Sequence, residues 1–122
     1  MNIVKAIKSN RITKKLDNGL TEIKHEATDR TFKSHYFLDE NREYQGEYKS
    51  WYDDGTPREH CFFKDGEFHG EFKRWYPTGT LREHCFFKDG DLQGEFKWWD
   101  DDETLGDHCF YKDGKIIEDY LI

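Results

Sequence analysis

Three His-Cys dipeptides, His60-Cys61, His84-Cys85 and His108-Cys109, recur 24 residues apart. Imidazole and thiolate are the ligands zinc prefers, at ~2.0–2.3 Å. Successive side chains on a strand point to opposite faces, so one dipeptide cannot close on an ion. Equivalent strands of a meander lie two steps apart, about 9.6 Å at ~4.8 Å per step. That is too far for a shared metal or a disulfide. The expectation is a small buried filler at each Cys and a cross-strand stacking partner at each His, with no metal and no cofactor. Glu47, Glu71 and Glu95 recur with Lys49, Lys73 and Lys97 two residues on. Paired carboxylates serve glycosidases, yet this spacing suits a charge ladder between strands. The run Asp100-Asp101-Asp102-Glu103 lacks the spaced oxygens and the Gly of a calcium loop and reads as a solvated turn. His25 and His69 fall off the column as ordinary polar positions. The chain shows no nucleophile elbow, phosphate loop or triad spacing, so no catalytic residue and no enzyme is expected.

Rings are the other chemistry. Tyr48, Phe72 and Phe96, with Trp51, Trp75 and Trp99, repeat at the same interval. Such rings stack on apolar side chains, and aromatic surfaces suit binding hot spots. They also build cages for quaternary ammonium groups or platforms for sugars, as in choline-binding and cell-wall repeats. Those proteins are secreted. Here Lys5 and Lys8 interrupt the N-terminal apolar stretch, and three Cys are expected to remain thiols in a cytoplasm.

The elements that carry these residues follow from a repeat. Gly46–His69, Gly70–Gln93 and Gly94–Ile117 align without gaps; the first two share 16 of 24 residues and the last two 13. Each unit holds a Gly-Glu-aromatic-Lys-x-Trp block, a turn at Asp54-Gly55-Thr56 or its equivalent, and a block ending in Lys-Asp-Gly. Aromatic content and short length suit strands, and Asp-Gly suits a tight turn. Two strands and two turns per unit predict an antiparallel meander. Glu103 stands where Gly55 and Gly79 mark a turn glycine, so the third turn is expected to differ. Phe32–Asn41 matches Pro57–Gly66 with a shift of 25, and Ile12–Leu16, Asp17-Asn18-Gly19 and Leu20–Ile23 read as another hairpin. Lys115–Ile122 supplies a last strand, with Tyr120 at the Tyr48 position and Glu118 at the repeat Gly.

Composition agrees with a thin sheet. The 122 residues carry 26 acidic and 19 basic side chains, a net charge of −7, and only 34% are hydrophobic. Mean hydropathy is −1.09. Ten Phe, seven Tyr and four Trp argue against the disorder that such polarity suggests. Residues 1–15 carry five basic groups and no acid, which leaves −12 on the remainder. An acidic body excludes nucleic-acid binding by bulk electrostatics. The organisation expected is a basic N-terminal arm (1–15), a degenerate N-terminal hairpin (16–45), and three repeats with a C-terminal capping strand (46–122). Both faces carry aromatic columns, so one face is expected to be covered, by the arm or by a second copy of the chain.

The Gly-Glu-Phe/Tyr-Lys-x-Trp-Tyr, Asp-Gly and Phe-Phe-Lys-Asp-Gly arrangement over Gly46–Gly114 resembles the MORN repeat family. It is most similar to the variant repeats of bacterial antitoxin-like proteins and of giant DNA viruses of amoebae. The resemblance implies an all-β fold, an elongated, twisted single antiparallel sheet built as a meander of tandem hairpins. It also implies a scaffold, self-association as a homodimer, and location in a cytoplasm, or in a virion if the source is viral. The function expected is therefore a non-enzymatic repeat scaffold for protein–protein interaction. Its protein partner would stack on Tyr48, Trp51, Phe72, Trp75, Phe96 and Trp99. Two alternatives stand beside it: a membrane-surface adaptor whose basic arm meets anionic lipid, and an acidic antitoxin-like inhibitor of a basic partner.

Overall fold

The computed structural model describes residues 10–26 and 32–120. Their backbone forms one open antiparallel sheet of twelve strands with no helix among the described residues. The strands are β1 (Asn10–Lys15), β2 (Thr21–Glu26), β3 (Phe32–Leu38), β4 (Gly46–Trp51), β5 (Pro57–Lys64) and β6 (Glu67–Phe68). They continue as β7 (Gly70–Trp75), β8 (Leu81–Lys88), β9 (Asp91–Leu92), β10 (Gly94–Trp99), β11 (Leu105–Lys112) and β12 (Lys115–Asp119). Order in the sheet follows the chain from β1 to β12, except that β6 pairs only β5 and β9 only β8. Among the described residues no helix is long and apolar enough to cross a membrane.

Two kinds of turn alternate. At Asp65-Gly66, Asp89-Gly90 and Asp113-Gly114 both residues have positive φ (50° and 83°, 50° and 89°, 50° and 83°). This is the primed turn that matches the twist of a hairpin, and Asp-Gly is its preferred pair. At the other end Tyr52, Tyr76 and Asp100 each donate N–H to Thr56, Thr80 and Thr104, and accept from Gly55, Gly79 and Glu103. Glu103, with φ of 70°, takes the same left-handed conformation as Gly55 and Gly79. The third turn therefore keeps the shape of the other two, because its hydrogen bonds hold a side-chain-bearing residue where glycine sits more easily.

The core lies on one face. Cys61 and Cys85 (each 1% exposed), Phe72 (4%) and Cys109 are buried there, with Tyr48, Phe63, Phe68, Phe87, Leu92 and Phe96 packed around them. A single sheet buries this face because the turn segments fold over it. Phe68 stacks on Phe63 at 4.9 Å, meets Phe87 at 5.0 Å and presents its edge to Phe72 at 5.3 Å. Tyr44 does the same between Tyr36 (5.1 Å) and Phe63 (4.8 Å). The covering layer is thus internal to the repeats. Of the basic arm, residues 10–15 form β1, which extends the sheet at its edge and does not cross the face; residues 1–9 lie outside the described residues.

Tyr120 departs from its expected place. In the inner units Gly70 and Gly94, with φ of 101° and 90°, let the chain gain two residues of register between β6 and β7 and between β9 and β10. Glu118 is not in that conformation, and β12 shifts by a single residue against β11. A one-residue difference moves a side chain to the other face. Tyr120 accordingly packs on His108 (4.7 Å) and Phe110 (5.8 Å), not in the Tyr48–Phe72–Phe96 column.

Candidate functional site

The face opposite the core carries Glu47, Lys49, His60 and Phe62 and their repeats, since Glu47 registers with Phe62 and Lys49 with His60. Across each hairpin a histidine Nε2 donates to a glutamate Oε2 at 2.8 Å: His35 to Glu22, His60 to Glu47, His84 to Glu71 and His108 to Glu95. The bond holds the carboxyls of Glu22, Glu71 and Glu95 below their ordinary range, partly offset by burial and aided by the nearby lysines. Lys49, Lys73 and Lys97 reach the same carboxylates at 3.7, 3.9 and 3.8 Å. These lysines sit two along on the glutamate's own strand, so histidine, not lysine, is its cross-strand partner. Each of His35, His60 and His84 also tilts against the Phe two residues on, at 5.2–5.3 Å. The sequence carries a signal for these pairs: Glu precedes its His by 13 residues in all four cases.

The cysteines stand on the far side of the sheet from the histidines beside them. Burial pushes the Cys61 and Cys85 thiols up to about 12 and raises Cys109 as well. A thiol so placed is not a ready nucleophile. Among the described residues no group of three or more His, Cys, Asp and Glu is placed to hold a metal ion.

The six ring positions divide by face. Phe72 is core, and Tyr48 and Phe96 pack against the same cluster, so this column is spent on holding the sheet together. Trp51, Trp75 and Trp99 alternate onto the Glu–His face and are half-buried. A shallow cavity of about 200 Å³ opens between units there, lined by Lys49, Trp51, Pro57, His60 and Trp75 among others. Its counterpart one unit on, about 130 Å³, is lined by Thr80, Leu81, Trp99 and Glu103. The backbones of Trp75 and Trp99 are held by the preceding unit, because the hydroxyls of Tyr52 and Tyr76 donate to their carbonyls at 2.6 and 2.7 Å. These bonds tie each unit to the next.

This two-sided unit, core rings and thiols on one face and Trp, His and Glu on the other, is a known repeat. Residues 44–65 and 68–89 match the MORN repeat variant family. The two units are MORN repeats. Residues Gly94–Tyr111 follow the same strand pairing one period further on. No curated protein matches the chain. Among solved structures it is similar to a variant of TarM from S. aureus in complex with fondaparinux, alpha-GlcNAc-glycerol and UDP, at 16% identity and a TM-score of 0.44. A second TarM crystal structure shares 13% identity at a TM-score of 0.42. Each alignment covers 96% of this chain and 22% of TarM.

Proposed function

We propose that this MORN-repeat chain is a non-enzymatic scaffold whose tryptophan-bearing face holds a segment of a partner protein. The observation that carries the reading is the division of labour between faces. The rings of one face pack on one another around the buried Phe72 and thiols, while Trp51, Trp75 and Trp99 lie half-buried at regular intervals on the other face, beside shallow cavities. Tryptophan concentrates binding energy because it offers a large rigid surface at small conformational cost. The Glu–His pairs beside the rings supply polar groups already fixed in place, which set orientation.

The central tryptophan gives the test. Affinity capture from the source organism should retain a protein on the wild-type chain and on Trp75→Phe, and lose it on Trp75→Ala. Circular dichroism of Trp75→Ala should still report a sheet, since the hydrogen bond to that unit is made by the backbone of residue 75. Equal capture by wild type and Trp75→Ala would exclude this face.

A further inference from the structure

Four hairpins carry a bulge at the same place. Lys33, Arg58, Arg82 and Gly106 are the extra residues, opposite the steps His25–Glu26, Ser50–Trp51, Arg74–Trp75 and Trp98–Trp99. A bulge re-aims its extra side chain. Arg58 is turned onto the core face, where its Nε donates to the buried Ser50 hydroxyl at 3.3 Å. In the next two units the residue matching Ser50 is large. Arg74 bridges Glu59 and Glu83 at 3.1 and 3.7 Å, and Trp98 lies so close to Gly106 that a Cβ there would meet its ring at 2.5 Å. In the first unit Ser50 instead faces Ser34. Two small hydroxyl residues stand where the following units carry a guanidinium and an indole. An open cavity of about 600 Å³ results, lined by Ser34, Tyr48, Trp51, Tyr52 and Arg58 among others.

Charge in this cavity is not balanced. Lys33, on its wall, pairs with Asp53. One unit on, Arg58 stands for Lys33 and Pro77 for Asp53, so that turn offers Arg58 no carboxylate. The neighbouring Glu59 is engaged by Arg74. Among the described residues no carboxylate forms an ion pair with Arg58. His25, also on the wall, is hydrogen-bonded with the Tyr36 hydroxyl at 3.0 Å. On a chain of net charge −7 the cavity thus keeps one uncompensated cation. A guanidinium fork matches a carboxylate with two parallel hydrogen bonds. One negative charge balances it, whereas a dianion would carry a second charge out of water without a partner. The rings of Tyr48, Trp51 and Tyr52 suit a flat apolar body, and the volume falls within the ~300–1,000 Å³ of small-ligand sites.

We propose that this cavity binds a small aromatic carboxylate, with the carboxylate on the Arg58 guanidinium and the ring among Tyr48, Trp51 and Tyr52. The site belongs to the first unit alone. Arg82, the equivalent of Arg58, has its guanidinium 5.5 Å from the Tyr76 ring, and Arg74 fills the place that Ser50 leaves open. Trp75 does not line the cavity, so the site does not depend on the function proposed above.

Phenylacetate titrated into the full chain, followed by the chemical shifts of backbone amides and arginine Nε–H groups, tests it. Saturable binding at a single site is expected, with the largest shifts at Ser34, Tyr48, Trp51 and Arg58. Phenylacetamide, alike in shape but uncharged, should bind about tenfold more weakly or worse, as should phenylacetate to Arg58→Gln. Arg82→Gln should bind as the wild type does. Arg58 is exposed, so its replacement leaves the fold in place, which the dispersion of the amide spectrum checks. The comparison of acid with amide is made on the wild-type chain and needs no variant. Absence of saturable shifts with phenylacetate would overturn the proposal. So would equal affinity for acid and amide, or binding undiminished by Arg58→Gln. Inorganic phosphate bound more tightly than phenylacetate would overturn it in favour of a phosphate ligand.

Discussion

Glu71 receives His84 Nε2 at 2.8 Å and has Lys73 at 3.9 Å, and these contacts draw its carboxyl below the usual range. The sign of the consequence is fixed by linkage. A carboxyl whose folded value is depressed binds its proton less readily in the native state than in the unfolded one. Its stabilisation is complete above the unfolded value of about 4.3 and is lost as pH falls through the lower folded value. Glu22 and Glu95 behave alike, so acid should act on several units at once. Wild type is expected to be more stable than Glu71→Gln at about pH 6, with the difference vanishing as the pH falls below the carboxylate range. Urea denaturation at a series of pH values checks this. A difference that stays constant down to acid would show that the bond contributes through shape and not through charge.

Turns show how an element tolerates an unsuitable residue. Glu103 holds φ at 70° because its N–H donates to Asp100 and the Asp102 side chain accepts from Thr104. Left-handed backbone costs a side-chain-bearing residue ~1–2 kcal/mol, part of which glycine returns as chain entropy. Glu103→Gly should therefore stabilise the protein by about 0.5–1 kcal/mol, read as a rise in melting temperature of a few degrees. An unchanged or lower melting temperature would mean that the Glu103 side chain makes a compensating contact. The strand plan and the Asp-Gly turns were legible in the sequence because both depend on neighbours in the chain. The choice of core face was not. It depends on Tyr44, Phe68 and Leu92 folding back over the sheet, and alternation alone gives both faces rings. The face of Tyr120 was hidden for a related reason, since glycine at 70 and 94 permits a two-residue step that Glu118 does not make. The Glu–His pairs were visible only as a spacing of 13, whose meaning depends on the register of the hairpin.

At the scale of the molecule, every long strand pairs only with strands close to it in the chain, and the sheet never closes on itself. Such a structure is held together unit by unit, and its stability is nearly a sum of local terms and nearest-neighbour terms. Position along the sheet should then decide how much a residue matters. Phe72 stands at the centre, 4% exposed, with Phe68 at 5.3 Å, Phe87 at 5.7 Å and the Arg74 guanidinium 5.2 Å from its ring. Arg74 in turn bridges Glu59 on β5 and Glu83 on β8 at 3.1 and 3.7 Å, so the same residue pins three strands. Phe72→Ala should remove ~3–5 kcal/mol, the range for emptying a core Phe site, and should uncouple the two halves of the sheet. Tyr120→Ala, at an exposed position on the edge, should cost less than about 1 kcal/mol. Amide exchange in the wild type should be slowest in β5, β7 and β8 and fastest in β1 and β12, because an end unit opens without disturbing the rest. In Phe72→Ala the protection of β5 and β8 should fall toward that of the edges, and denaturation should divide into two transitions. Uniform exchange across the sheet, or a single sharp transition in the variant, would mean that the sheet unfolds as one cooperative body.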